Sequence, residues 1–285
     1  MKDVTNAMRA HILTAAVPYI KQYTDQYVVV KYGGNAMIDE ELKKSVMKDL
    51  MLLQLVGVKV VLVHGGGPAI NSTLDAMKIE SHFANGLRVT DEATMDVVQM
   101  VLAGKVNKGL VADLTDLGGK AVGLCGVDGN MIQVHKQNDE LGYVGSIDTI
   151  DTSIIDDVIS RGYIPVISSI GMGADGKTYN INADTVVAKI AGALKAETMV
   201  AMTNIDGVLR DVHDPNSLIS KITMAEADQL KAEGIIAGGM IPKVDCCLEA
   251  IKSGAQKVFI INGEIPHAIL IELLTDEGLG TMFVK

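Results

Sequence analysis

VVVKYGGN, residues 28–35, joins three valines to a lysine and a pair of glycines. The valines favour a strand that is buried on both faces, as in a parallel sheet. Lys31 follows them, and Gly33 and Gly34 allow a turn whose amide groups no side chain covers. A helix is predicted from Asp39, its N-cap, onward. Ligands of open α/β sheets bind at this end of the strands, so the stretch indicates an anion site. A strand, turn and helix with a solvated lysine explains it equally well.

Composition narrows the classes of protein that this chain can be. Its 285 residues are 48% hydrophobic but only 4% aromatic, and the formal net charge is −10. That charge argues against general binding to nucleic acid or to anionic membranes. Three cysteines do not form a disulfide framework, and no apolar run is long enough for a membrane span. Residues 1–22 lack the features of a signal peptide. We expect a cytoplasmic protein.

Strand and helix patterns alternate from residue 26 onward. Strands are predicted at 26–31, 58–63, 120–124, 162–168, 198–203 and 257–262. Helices are predicted at 39–56, 68–78, 91–117 in two pieces, 151–161, 182–194, 224–233, 242–253 and 267–274. Repeated strand–helix units give a mainly parallel sheet that helices cover on both faces. Shorter strands at 131–136, 143–148 and 177–181 are predicted as inserted β-hairpins.

The first 22 residues form an amphipathic helical pattern that Pro18 interrupts, which predicts a kinked helix. A helix ahead of the first strand has no partner within a strand–helix unit. It therefore either packs on the domain or reaches another subunit, and the pattern leaves both open. Further along the chain, a lobe boundary is placed near residue 195.

A second glycine turn, HGGGP at residues 64–68, follows the strand predicted at 58–63. Its glycines and the helix that begins at Pro68 again present amide groups to an anion. Lipases use a similar motif for an oxyanion hole, but the chain lacks their G-x-S-x-G nucleophile motif, which disfavours a hydrolase. The two glycine turns together fit the two sides of one phosphoryl group.

GMGADGKT, residues 171–178, matches the P-loop pattern, which requires a helix to follow at once. Here a predicted strand follows, and Asp175 and Gly176 are typical of a hairpin turn. The favoured interpretation is a β-hairpin, with a P-loop nucleotide hydrolase as the lesser alternative.

Several polar residues carry an interpretation of their own. Asn180, Asn182 and Asp184 alternate, as on one face of a strand beside a ligand, although helix capping explains the last two equally well. Lys243 stands in the first turn of a predicted helix, where it opposes the helix dipole unless it meets an anion. Arg88 is either a surface residue or a clamp for a carboxylate.

Six motifs taken together resemble the amino acid kinase superfamily: KYGGNAM (31–37), VHGGGPAI (63–70), GLRVTD (86–91), YNINAD (179–184), TNIDGVL (203–209) and GGMIPKV (238–244). The resemblance covers residues 26–285 and is strongest to members that phosphorylate N-acetyl-L-glutamate with ATP, the second step of arginine biosynthesis. It implies a three-layer α/β sandwich, with an amino-acid-substrate lobe at 23–194 and a nucleotide-binding lobe at 195–285. Mg²⁺ would be held mainly by the nucleotide phosphates, and no side chain is predicted as a metal ligand.

The resemblance also implies roles for individual residues. Lys31 and Lys243 would stabilise the transferring phosphoryl group, and Asp184 would orient both lysines. The substrate residues would be Gly33, Gly34, Gly65, Gly66, Arg88, Asn180 and Asn182. The nucleotide residues would be Thr203, Asn204, Asp206, Gly207, Gly239 and Met240, although related proteins often have Asp where Asn204 stands. The acceptor is a carboxylate with a pKa of about 4.3, so no general base is required.

The two ends of the chain resemble those of arginine-inhibited members of the superfamily. There the N-terminal helix, here residues 1–22, interlocks dimers into a hexamer that is a trimer of dimers. The implied arginine site consists of Tyr19, Tyr23, His267, Glu272 and Gly280. An ordinary last helix and edge strand is the alternative. A different class of function, a non-catalytic arginine sensor, is disfavoured because the chain retains both lysines and Asp184.

Overall fold

A computed structural model describes residues 5–33, 37 and 39–285. The strands of these residues are β1 (Tyr27–Tyr32), β2 (Lys59–His64), β3 (Phe83–Ala84), β4 (Leu87–Arg88), β5 (Ala121–Cys125), β6 (Ile132–Lys136), β7 (Gly145–Ile150), β8 (Ile164–Ser168), β9 (Ile170–Gly173), β10 (Thr178–Asn180), β11 (Thr198–Thr203), β12 (Lys221–Thr223), β13 (Lys257–Asn262) and β14 (Thr281–Val284). The α-helices are α1 (Asn6–Ala15), α2 (Val17–Tyr23), α3 (Glu40–Leu55), α4 (Gly67–Met77), α5 (Glu92–Gln99), α6 (Asn107–Asp116), α7 (Ser153–Ser160), α8 (Ala183–Ala193), α9 (Met224–Ala232), α10 (Met240–Ser253) and α11 (Ala268–Leu274).

Eight strands form the main sheet in the order β12-β14-β13-β11-β1-β2-β8-β5. Every pair in it is parallel except β13 with β14. β1 lies between β11 and β2, with Lys31 in register with Ala201 on one side and Val63 on the other. The carboxyl ends of these three strands therefore share one edge, which is where an open sheet binds its ligands.

The valines of β1 show how helices cover both faces of this sheet. Val28 and Val30 lie in the core beneath α3 and α11, whereas Val29 lies in the core beneath α8 and α10. All three are fully buried, as expected for a strand between two helical layers. The predicted fold class, a three-layer α/β sandwich around a mainly parallel sheet with inserted hairpins, is confirmed.

A second sheet, in the order β10-β9-β6-β7, contains the inserted hairpins. β9 and β10 pair antiparallel around Asp175 and Gly176, so the segment that matches the P-loop pattern is a β-hairpin, as predicted. Lys177 Nζ donates to the Tyr143 hydroxyl at 3.1 Å. The helix that follows, α8, begins only at Ala183.

Four features differ from the sequence-based expectation. The predicted helix break within 91–117 is a π-helical segment, Met100–Val106, that joins α5 to α6 without interruption. Five strands were not predicted: β3 and β4 have two residues each, β12 and β14 have three and four, and β9 contains two glycines. Helix α10 begins two residues before the predicted start. Residues Asn180 to Asp184 do not form one strand, since β10 ends at Asn180.

The N-terminal segment consists of two helices, α1 and α2, that meet at Ala16, with Pro18 in the first turn of the second. Pro18 there has no hydrogen bond to lose, which explains why the helix breaks before it. No residue of α1 is buried. Within the described part of the chain, none of the helices has the length and apolar character needed to cross a membrane.

Candidate active site

Lys31 and Asp184 form an ion pair at the carboxyl edge of the main sheet. Lys31 Nζ lies 2.8 Å from Asp184 Oδ1, and the lysine side chain is only 17% exposed. β1 carries the lysine to this edge, and the first turn of α8 brings the aspartate to it. Asn182 starts that helix, because its Oδ1 accepts a hydrogen bond from Asp184 N at 2.7 Å. Asn182 is therefore a cap, which was one of the two interpretations of its position.

Lys243, in the first turn of α10, joins the same charge cluster. Burial lowers the pKa of its ammonium, the positive charge of Lys31 lowers the pKa further, and Asp184 opposes both effects. One carboxylate and two ammonium groups therefore influence one another here. Helices α8 and α10 are also linked directly, since Cys246 Sγ donates to the Asp184 carbonyl at 3.0 Å. The cluster carries an excess positive charge, which a phosphate would neutralise.

The second glycine turn lies next to this cluster. Gly65 N donates to Tyr32 O at 3.2 Å, which ties the turn to the end of β1. A Cβ at Gly66 would lie 2.6 Å from Leu102 Cδ2 of the π-helical segment, so a larger residue there would displace that side chain. Gly33 follows β1 directly, with its Cβ position 3.8 Å from Lys31 Cε. Gly34, also predicted as a substrate residue, lies outside the described residues.

A cleft beside the glycine turn collects most of the predicted substrate residues. Its lining includes Gly65, Gly66, Arg88, Asn180 and Asn182. β4 supplies the arginine, the end of β10 supplies Asn180, and the N-cap of α8 supplies Asn182. Asn180 Nδ2 donates to the Thr90 hydroxyl at 3.3 Å. Residues that are far apart in sequence thus meet in one site.

Arg88 is a buried cation on the wall of this cleft. It is 7% exposed, its guanidinium donates to Ser81 Oγ and, at 2.6 Å, to Asn71 Oδ1, and it stands 4.7 Å from the centre of the Phe83 ring. Burial lowers its pKa. Among the described residues no carboxylate forms an ion pair with it. A guanidinium in this position has the charge and the donor geometry that a ligand carboxylate requires.

The predicted nucleotide residues occupy two places around the same edge. Thr203 ends β11, and its hydroxyl accepts from Ile205 N at 3.2 Å. Asp206 accepts from Asn262 Nδ2 at 2.8 Å, and Asn204 is exposed. Gly207 has φ 152°, and a Cβ there would lie 2.5 Å from Thr281 Oγ1.

The start of α10 is the other place. Gly239 and Met240 are the N-cap and first residue of that helix. The turn after β11 and the start of α10 are both exposed in part, and Lys243 lies in the first turn of that helix. Among the described residues, no group of three or more His, Cys, Asp or Glu side chains is arranged to hold a metal ion.

The predicted arginine-site residues lie around α11. Glu272 accepts from Leu279 N at 2.7 Å and from Gly280 N at 3.0 Å. Burial raises the pKa of Glu272, although those two hydrogen bonds oppose the shift. The Tyr19 hydroxyl donates a hydrogen bond to Asp276, which lies just after the end of α11.

Two further residues of α3 hold His267 in place. Its backbone N donates to Ser45 Oγ at 2.7 Å, and its Nδ1 lies 2.6 Å from Asp49 Oδ1. Burial raises the pKa of Asp49 to about 6, against the effect of the His267 hydrogen bond. Neither Ser45 nor Asp49 was predicted. Tyr23, in contrast, is buried in the core with Lys257 Nζ 4.9 Å from its ring centre.

Comparison with known proteins agrees with this fold. The sequence profile of the Amino acid kinase family matches residues 26–262, and the chain belongs to that family. It is a kinase of that family. Two curated relatives are named acetylglutamate kinase: one from Brachyspira hyodysenteriae is 52% identical over 287 residues and 100% of both chains, and one from Clostridium kluyveri is 54% identical over 96% of this chain and 97% of its own.

Solved structures share the fold. N-acetylglutamate synthase from Neisseria gonorrhoeae, in complex with coenzyme A and N-acetyl-glutamate, superposes with a TM-score of 0.84 at 27% identity. The match covers 97% of this chain and 63% of that synthase. Carbamate kinase from Giardia lamblia bound to AMP-PNP has a TM-score of 0.65 at 17% identity, covering 91% of this chain and 98% of its own. At that identity the likeness concerns the fold alone.

Proposed function

We propose that this chain transfers the γ-phosphoryl group of ATP to the side-chain carboxylate of N-acetyl-L-glutamate. The products are ADP and N-acetyl-L-glutamyl 5-phosphate, within arginine biosynthesis in the cytoplasm. The observation that carries the proposal is the Lys31–Asp184–Lys243 cluster beside a cleft that a buried arginine lines. The names of relatives about half identical over the whole chain support the choice of substrate.

The reaction brings two anions together, which is its main physical difficulty. The acceptor carboxylate is ionised at neutral pH, so it attacks phosphorus without a general base. Lys31 and Lys243 would neutralise the phosphoryl oxygens and the charge that develops on the leaving oxygen. Asp184 would hold the Lys31 ammonium in position, as its 2.8 Å contact with that lysine supports. Arg88 and Asn180 would hold the other carboxylate of the substrate, which aligns the acceptor for attack.

The nucleotide would lie along the turn after β11 and the start of α10, where Thr203, Asn204, Asp206, Gly207, Gly239 and Met240 stand. Mg²⁺ would enter with ATP, held mainly by the phosphates, and would shield their negative charge. Asp184, already paired with Lys31, fits the role of orienting the lysines better than that of a metal ligand.

A hydroxamate assay tests the proposed function directly. Purified protein with ATP, Mg²⁺ and N-acetyl-L-glutamate should form an acyl phosphate that hydroxylamine traps. Omission of either substrate should abolish the signal. Equal or greater activity on glutamate, aspartate, carbamate or UMP would assign a different substrate.

Arg88→Lys should raise the KM for N-acetyl-L-glutamate by about tenfold or more, while kcat changes much less. Lysine keeps the charge but cannot reproduce the two-pronged hydrogen bonds of a guanidinium, each worth about 1.5–3 kcal/mol to a charged partner. Initial-rate kinetics at saturating ATP measure this split. Arg161→Lys, at the exposed end of α7, is the matched control. An unchanged KM for Arg88→Lys would remove Arg88 from the substrate site.

We also propose that arginine inhibits the enzyme at the C-terminal cluster and that the N-terminal helices join dimers into a hexamer. Two acids, the buried Asp49 and the half-buried Glu272, offer negative charge to a guanidinium or ammonium group. Tyr19 connects this cluster to the N-terminal segment through Asp276. Helix α1 leaves Ile12 57% and Leu13 72% exposed, which suits a helix that packs against another subunit.

Deletion of residues 1–22 should convert a hexamer into dimers and should greatly weaken inhibition by arginine, while activity without arginine is retained. Multi-angle light scattering and assays with millimolar arginine measure the two effects. Ile12→Glu, on the exposed face of α1, should also break the hexamer but leave Tyr19 in place. A full-length dimer that millimolar arginine does not inhibit would contradict the proposal.

A further inference from the structure

His64, the first residue of the HGGGP motif, is fully buried and contacts the glycine turn that follows it. Its Nδ1 lies 2.8 Å from the carbonyl oxygen of Gly65. Its Nε2 lies 3.1 Å from Nδ2 of Asn107, the first residue of α6. Both ring nitrogens therefore have a polar neighbour. One faces the glycine turn, and the other faces α6, which contributes no residue to the Lys31–Asp184–Lys243 cluster.

The surroundings of Asn107 fix which nitrogen of His64 carries the proton. Asn107 Nδ2 also lies 2.8 Å from Val166 O and 3.2 Å from Leu124 O, whereas its Oδ1 accepts from Lys108 Nζ at 3.2 Å. Only this orientation of the amide gives donors to the carbonyls and an acceptor to the lysine. The amide nitrogen that faces His64 thus carries hydrogens, and its two hydrogens are shared among Val166 O, Leu124 O and His64 Nε2. Nδ1 faces a carbonyl oxygen, which can only accept, so Nδ1 carries the proton and donates it to Gly65 O, and the unprotonated Nε2 faces the amide.

That hydrogen bond sets the direction of the next amide group. In a trans peptide the C=O and the following N–H point to opposite sides, so holding Gly65 O toward His64 turns Gly66 N–H away from it. Gly66 also lines the substrate cleft. Within the described part of the chain, no backbone carbonyl accepts from that N–H. It is therefore available to a ligand in the cleft.

We propose that His64 is a positioning residue for phosphoryl transfer. It holds the Gly65–Gly66 peptide so that Gly66 N–H points at the phosphoryl group, and Asn107 holds His64 in the tautomer that does so. The inference rests on the proposed function, which supplies the phosphoryl group. Burial lowers the pKa of His64 to about 4, so the ring is neutral at working pH and takes no part as an acid or base.

Two variants of His64 separate this role from a merely structural one. Asparagine places its Nδ2 near the position of the histidine Nδ1, so His64→Asn keeps a donor for Gly65 O. Glutamine places its amide nearer the position of Nε2, so His64→Gln loses that donor and keeps contact with Asn107. Both lose one buried hydrogen bond, and both should therefore unfold at a lower temperature. We expect kcat to fall about 10- to 100-fold in His64→Gln, as for a misplaced oxyanion donor, and only a few-fold in His64→Asn.

KM for both substrates should stay within a few-fold in either variant, because the amide acts on the phosphoryl group during transfer. Equal losses of kcat in the two variants, or losses that follow their melting temperatures, would overturn the inference. If the wild-type enzyme shows no N-acetyl-L-glutamate kinase activity, the proposed function fails instead, and the two failures are distinct.

The tautomer is measured on the wild-type protein, and the measurement does not depend on activity. Long-range ¹H–¹⁵N spectra of the histidine side chains should show the His64 ring with a protonated Nδ1 and an unprotonated Nε2 between about pH 6 and about pH 8, a range that lies above its lowered pKa. The signals that are present in the wild-type spectrum and missing from that of His64→Asn belong to His64. A protonated Nε2 would overturn the inference.

Discussion

Lys31→Ala should lower kcat by about two orders of magnitude or more, the scale of losing one electrostatic stabiliser of a developing oxyanion. The substitution removes a mostly buried ammonium from the end of β1. It also leaves the Asp184 carboxylate without its 2.8 Å partner, in a site that must receive two further anions. Both effects raise the free energy of the transition state more than that of the bound substrates. Initial-rate kinetics in the hydroxamate assay measure the loss.

Lys177→Ala is the matched control for this experiment. Lys177 belongs to the segment that matches the P-loop pattern but lies in the β9–β10 hairpin, where it contacts Tyr143. We expect that variant to keep near-normal activity. The P-loop alternative requires the reverse, an essential Lys177 and a dispensable Lys31. Near-normal activity of Lys31→Ala would remove Lys31 from its proposed role.

Lys243→Met should lower kcat by a similar factor, again about 10², with a smaller change in either KM. Methionine keeps the length and apolar stem of the side chain but removes the charge. Lys243→Arg is the companion variant, since it keeps a cation at this place in α10. Partial activity in Lys243→Arg, without any activity in Lys243→Met, would show that catalysis requires the positive charge at this position. Equal activity in all three proteins would exclude Lys243 from catalysis.

The pH dependence of Lys243 gives this prediction a second readout. Burial and the charge of Lys31 lower the pKa of its ammonium, so this group loses its proton at a lower pH than an ordinary lysine does. Because the protonated form is the active one, kcat/KM should fall as pH rises through that lowered pKa. Arginine keeps its proton throughout. The alkaline fall should therefore move to higher pH in Lys243→Arg.

Much of the fold was predictable because its signals are local. The valines of β1 and the glycines after β1 and β2 report burial and turns within a few residues. β12 and β14 were missed because strands of three and four residues have too few residues for a pattern. The π-helical segment was missed because nothing in residues 100–106 distinguishes it from an α-helix.

Some contacts of the site could be expected from the sequence, and others could not. The superfamily resemblance implied that Lys31, Asp184 and Lys243 act together, whereas their spacing along the chain did not indicate it. The contact between His64 and Asn107 joins residues 43 positions apart, and a buried asparagine in a helix has no sequence signature. Gly123, in β5, packs against Asn107, and a Cβ at this glycine would lie 1.9 Å from Asn107 Oδ1. A glycine within a strand is therefore the sequence feature that relates to this contact.

The central claim is that two ammonium groups and the glycine turns neutralise a phosphoryl group during its transfer to a carboxylate. A crystal structure with N-acetyl-L-glutamate, Mg²⁺ and a non-hydrolysable ATP analogue tests it most directly. We predict that Nζ of Lys31 and Nζ of Lys243 both lie within about 3 Å of oxygens on the terminal phosphate or its bridging position. Either Nζ pointing into bulk solvent in a closed complex, more than about 10 Å from the terminal phosphorus, would contradict it.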